Sequence, residues 1–132
     1  MITPIYGAIL GLMLIALSIN VIRGRGKMAI GLGDLGNTDM KRRIRAQANF
    51  TEYSPMFLIL LGYAEYNGLL HWAIHAIAIA FILGRVMHAY SLLYAENYRD
   101  GKLISHIFWR ICGMACTFTV IGLLSVMLLI QS

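Results

Sequence analysis

Arg45, Asn49 and Glu52 stand at i, i+4 and i+7, with Tyr53 beside them. In a helix that spacing places all three on one face. Further along the chain Arg85, His88 and Glu96 fall on a second stripe, and Arg99 continues it if the helix there runs unbroken. Both groups lie in or beside long apolar runs, where ionisable side chains are expensive and their presence needs a reason. A carboxylate and a guanidinium at similar depth should pair, since either alone is costly, so Glu52 and Arg85 are expected to form a structural ion pair. The bland reading is that all these groups only hold helices together. Arg45, Asn49, Tyr53, His88 and Arg99 nevertheless offer more donors than that task needs, in a set suited to a small anion rather than to lipid.

Composition dictates which elements must position these residues. The chain has 132 residues, 59% of them apolar and 13% charged. Soluble chains average about 45–50% and about 25%. With a mean hydropathy of +0.71, the chain lacks the polar surface that a soluble globule of one domain needs. Two Cys and two Pro are too few for a disulfide scaffold or a collagen-like chain. The class is integral membrane, all-α, because backbone groups in lipid are satisfied only in helices or closed barrels and no segment alternates with period two.

Spans of about 20 apolar residues cross a hydrocarbon core of about 30 Å. One domain over 1–132 is expected, a four-helix bundle with helices at approximately 3–22, 40–66, 72–98 and 104–130. The first is read as a retained span, since no basic segment precedes it and no small-residue cleavage site follows it. Pro4 is tolerated in its first turn, Asn37, Thr38 and Asp39 are available to cap the second helix, and Asn67-Gly68 ends it. All 11 Lys and Arg except Arg85 lie in two segments, Arg23–Arg45 and Arg99–Arg110. The positive-inside rule puts both segments in the cytoplasm and both termini on the far side. Net charge +5 therefore reports membrane topology; nucleic acid is not an expected partner, and a lipid-headgroup patch is the lesser reading.

Two motifs fail on context. Gly31-Leu32-Gly33-Asp34-Leu35-Gly36 has the letters of a dinucleotide fingerprint, but that signal needs a preceding strand and a βαβ unit, and no strand is expected here. Asn49-Phe50-Thr51 is a glycosylation sequon only in letters, lying near the cytoplasmic start of a helix. Cys112 and Cys116 are one turn apart with no further ligands, so they read as small buried hydrophobes and no metal is expected.

The run Arg45-Ala-Gln-Ala-Asn49-Phe-Thr-Glu52-Tyr53-Ser-Pro55 resembles the second-helix signature of the MAPEG family, the membrane-associated proteins in eicosanoid and glutathione metabolism. Gly84-Arg85-Val-Met-His88 is similar to the family's third-helix motif, and small size with short loops looks most like bacterial inner-membrane members. The resemblance implies a homotrimer with glutathione as co-substrate, bound between neighbouring subunits and open to the cytoplasm and the lipid. It implies a transferase that adds the glutathione thiolate to a lipophilic electrophile, or a peroxidase variant. Arg23 or Arg25, Arg45, Gln47, Asn49, Glu52, Tyr53, His88 and Tyr94 then become glutathione-binding candidates, and Arg99 the arginine that activates the thiol. The sequence departs from the family at Leu92, where many relatives carry a Tyr; Tyr90 and Tyr94 flank that position and project away from the Arg85–His88 stripe, and Gln47 projects away from the Arg45 face.

The chemistry fits independently. Glutathione has two carboxylates, an ammonium and a thiol; Arg is the natural carboxylate partner, and Glu52 could take the ammonium if Arg85 leaves it free. A free thiol near pKa about 8.5 is mostly protonated at neutral pH, and a guanidinium beside the sulfur lowers that value. Other functions fit less well. A small multidrug-type transporter normally carries a carboxylate in its first helix, which this chain lacks, and a haem bundle needs facing His pairs. The main rival is a MAPEG-like protein that binds lipid or a partner without turnover.

Overall fold

The computed structural model describes residues 1–131. It contains α1 (Thr3–Met28), α2 (Thr38–Tyr66), α3 (His71–Tyr90), a π-helical turn (Ser91–Ala95), the short strands β1 (Tyr98–Arg99) and β2 (Lys102–Leu103), and α4 (Phe108–Gln131). α1, α4 and the continuous stretch His71–Ala95 are each long and apolar enough to cross a membrane. α2 is not, because its first half carries Lys41, Arg42, Arg43, Arg45 and Glu52. It nevertheless runs the length of the bundle: at its far end the Glu65 carboxylate accepts the backbone N–H groups of Ile2 and Thr3, capping the open start of α1. Its 29 residues extend about 43 Å at the usual helical rise.

Three boundaries differ from the sequence expectation, the simplest being that α4 begins at Phe108 rather than near 104 because the hairpin occupies the residues before it. α1 continues past Ile22 to Met28 and ends at Ala29, in the left-handed region at φ 54°. Hydropathy drops at Arg23, but helical hydrogen bonding does not, and Arg25 and Lys27 in the last turn complement the helix dipole. The third helix does not reach residue 98. It loosens into the π turn, closes with Glu96 N–H on Ser91 O at 2.9 Å, and gives way to the hairpin. A strand pair therefore exists where none was expected. Asp100 and Gly101 take φ of 50° and 74° and join strands in which Tyr98 faces Leu103 and Arg99 faces Lys102, as the two-residue Asp-Gly turn favours.

Phe57 of α2 stacks on Phe81 of α3 at 3.8 Å between ring centroids, in a core that Leu61, Ala64, Ile74, Ala78 and Leu124 complete. α3 and α4 cross at Gly84 and Gly113. A Cβ on Gly113 would stand 2.6 Å from the carbonyl oxygen of Gly84 and 2.8 Å from the backbone nitrogen of His88. Close backbone approach of this kind is how helices in lipid gain dispersion contact. Outward faces carry Ile5, Leu12, Ile15, Leu83, Phe118 and Leu123, exposed in the single chain as lipid contact requires. Alternating helix directions gather the end of α1, the start of α2, the π turn, the hairpin and the start of α4 at one end, together with every Lys and Arg except Arg85.

Candidate functional site

Asn37 starts α2 by accepting the N–H of Met40 on its side-chain oxygen at 2.9 Å, which fixes the phase of the helix. From there Asn49 points into the bundle and is buried. Its Oδ1 accepts from Nη1 of Arg85 at 2.7 Å. Nη2 of Arg85 donates to the Thr117 hydroxyl and toward the Gly113 carbonyl at 3.4 Å. The guanidinium also lies 5.3 Å from the Tyr53 ring centroid and 5.7 Å from that of Phe81. Only 1% of Arg85 is exposed, and its Nε has no hydrogen-bond partner among the described residues.

The expected Glu52–Arg85 ion pair does not form. Glu52 is exposed and takes Arg45 in a fork, at 3.0 and 3.5 Å, on the outer face of α2. Residues three apart on a helix differ by about 60° in direction, so an inward Asn49 carries Glu52 round to the outside. Neutral oxygens take both terminal nitrogens of Arg85 instead, and aromatic faces flank it, which spares a second charge the cost of burial.

Beyond His88, which is buried at the Gly113 crossing, the polar end of the bundle opens into a cup of about 320 Å³. Lys41, Arg42 and Arg45 of α2 form one wall and Arg110 of α4 another. Leu92 and the hairpin residues Tyr98 and Gly101 complete it, with Gly36 and Thr38 at the rim. The walls are tied together. Arg42 donates from Nε to Leu92 O and lies 5.4 Å over the Tyr98 ring. Glu96, fully buried, accepts from Ser91 Oγ at 2.9 Å, from the Tyr98 hydroxyl, and from Arg110 Nε at 3.1 Å. Partial burial and the bond to Glu96 raise the Tyr98 hydroxyl above its ordinary pKa, so it remains a donor.

Of the residues expected from sequence, Arg45 lines the cup. Asn49 and Tyr53 belong to the Arg85 cluster, and His88 stands within electrostatic range of Arg85, Arg110 and Arg45. Others lie elsewhere. Gln47 donates to Ser18 Oγ at 2.8 Å and so ties α2 to α1. Tyr94 is exposed against Tyr90 at 5.9 Å between centroids. Arg23 is exposed at the end of α1, and Arg25 donates to Gly33 O at 3.1 Å. Arg99 is exposed on β1 and does not line the cup, because the chain has already left the helix that would have aimed it inward. Lys41, Arg42, Tyr98 and Arg110 were missed. Arg42 lies one turn before Arg45, and that spacing was the available signal.

A model of the MAPEG family matches residues 3–130. The chain belongs to the MAPEG family. This MAPEG chain is also 29% identical over 124 residues to the inner membrane protein YecN of Escherichia coli K12, covering 94% of this chain and 87% of that protein. The YecN of E. coli O6:H1 strain CFT073 matches with the same figures. Within the MAPEG bundle both cysteines are free and half-buried, Cys116 donating to Ala80 O at 3.2 Å. The Gly31–Gly36 loop follows a helix rather than a strand and contributes Gly36 to the rim of the cup.

Proposed function

We propose that this MAPEG protein is a homotrimeric, glutathione-dependent transferase of the bacterial inner membrane, with the cup facing the cytoplasm and both termini in the periplasm. The observation that carries this reading is the gathering of Lys41, Arg42, Arg45 and Arg110 around one small opening at the end of an otherwise apolar bundle. Guanidinium groups suit the two carboxylates of glutathione. Arg45 already holds Glu52, which brings an acidic partner for the ammonium next to a partner for a carboxylate.

Arg110, rather than Arg99, is then the arginine beside the sulfur. Its Nε is held by Glu96 while the side chain faces the cup. A fixed cation there favours thiolate over thiol. The thiolate attacks the electrophilic carbon of a substrate delivered through the bilayer; a C–S bond forms as the bond to the leaving group breaks. An exposed Arg45–Glu52 pair shares the outer face of α2 with Met56, Ile59 and Tyr63, a surface better covered by a neighbouring copy than by lipid. In such a trimer the outward Arg23 and Tyr94 would serve the neighbour's site. Similarity to YecN, an inner membrane protein of E. coli, supports the location.

Purification in detergent, glutathione titration and conjugation of a generic aryl halide test the proposal. Wild-type protein is expected to bind glutathione at about millimolar concentration or below and to turn over. Arg110→Ala should lose about a hundredfold in conjugation rate while Arg99→Ala retains it. Binding without turnover selects a non-catalytic binding protein, and absence of binding overturns the proposal.

A further inference from the structure

The charges of the cup can be counted from its pairs. Four cations line it, Lys41, Arg42, Arg45 and Arg110; Glu52 neutralises one and Glu96 another, leaving an excess of two. The two carboxylates differ in kind. Glu52 is on the surface, whereas Glu96 is buried with 1% of its area exposed and is held by donors from three places: the π turn, the hairpin and α4. Arg110 faces the cup while its Nε answers to a fixed internal carboxylate, which lowers the net charge the cup presents to a ligand. Arg43, the remaining cation of that run, is paired with Asp39 at 3.0 Å and does not line the cup.

We infer that the cup selects its ligand by charge, favouring multiply charged anions, and that Glu96 is the specificity-determining residue that sets how steep this preference is. The inference rests on the proposed function only in taking the cup as the ligand site, and it sharpens that reading. Glutathione carries one net negative charge as a thiol and two as a thiolate, so a cup with a positive excess favours the ionised form. Removing the carboxylate charge would steepen the preference for the more highly charged ligand. Removing Lys41, which is exposed and outside the buried network, would flatten it.

Simple carboxylates separate charge from shape. Full-length protein in phosphatidylcholine nanodiscs is titrated calorimetrically with acetate, succinate and citrate, and each variant is compared with wild type by its citrate-to-succinate affinity ratio. One unit charge at about 10 Å, through an effective dielectric of about 20, corresponds to about a tenfold change per ligand charge. Glu96→Gln is expected to raise the ratio about tenfold, and Lys41→Gln to lower it by a similar factor. Mere loosening of the cup would weaken all three ligands alike and leave the ratio unchanged; that result overturns the inference, as does failure of wild type to bind any of them. Should Glu96→Gln not fold, Lys41→Gln alone decides. If the ratios move as expected but glutathione does not bind, the inference stands and the transferase reading falls.

Discussion

Gly113→Ala is the sharpest test of how the two sites are held. The added methyl would sit 2.6 Å from the Gly84 carbonyl oxygen and 2.8 Å from the backbone nitrogen of His88. Both obstacles are backbone, so neither can swing aside and α3 must move away from α4. Overpacking of this kind costs about 1–3 kcal/mol. Two simultaneous backbone clashes place this case toward the upper end, about 2–3 kcal/mol. For a chain of this size that corresponds to a fall of about 10 °C in the unfolding midpoint. Gly122→Ala is the matched control: it lies in the same helix, yet a methyl there meets nothing within 4 Å. It should leave the midpoint unchanged or raise it slightly, because Ala is the better helix former. Thermal unfolding of both variants in one detergent, followed by circular dichroism, makes the comparison. Equal midpoints would show that α3 and α4 do not approach as closely as the structure has them.

Asn49→Leu removes the acceptor of a buried guanidinium whose Nε already lacks a partner. It should cost about 3 kcal/mol, read as a lowered unfolding midpoint, while Gln47→Leu, which breaks one bond to Ser18, should cost about 1 kcal/mol. Tyr98 ionises above the ordinary tyrosine value of 10.0. The folded form thus keeps its proton longer than the unfolded form, and the contribution of Tyr98 to stability is complete below about pH 10 and is lost as pH rises through the raised folded value. An ultraviolet titration should show a late-ionising tyrosine in wild type that is missing from Tyr98→Phe.

Hydropathy alone made α1, α3 and α4 legible, because a lipid-crossing helix must be apolar over its whole length. α2 reads as one long helix from the apolar stretch between Glu52 and Glu65, even though its composition falls short of a span. What hydropathy does not register is hydrogen bonding, which is why α1 runs on through Arg23 and Arg25. The hairpin did have a signal, the Asp100-Gly101 pair, but two-residue strands leave no alternation to detect.

The site was legible in part for the same kind of reason. Spacing of i and i+7 joined Arg45 to Glu52, and the expense of an unpaired guanidinium in lipid required partners for Arg85, which the structure supplies. Spacing does not say which way a face points. Asn49 therefore took the inner position that had been given to Glu52, and Thr117 and the Gly113 carbonyl, neutral groups on a distant helix, completed the set. Arg42 and Arg110 escaped notice because a run of cations reveals its inward members only once the packing partner is known.

The π turn at Ser91–Ala95 makes this seam sensitive to chain length. A wider turn accommodates one more residue than regular α-helical winding does, and each residue is worth about 100° of rotation. Deleting Leu93 would let the segment rewind as ordinary helix without unfolding the bundle. The rotation would carry Glu96 away from Arg110 and detach the hairpin from its anchor. A single-codon indel here would thus take the cup apart while leaving the lipid-facing helices in place.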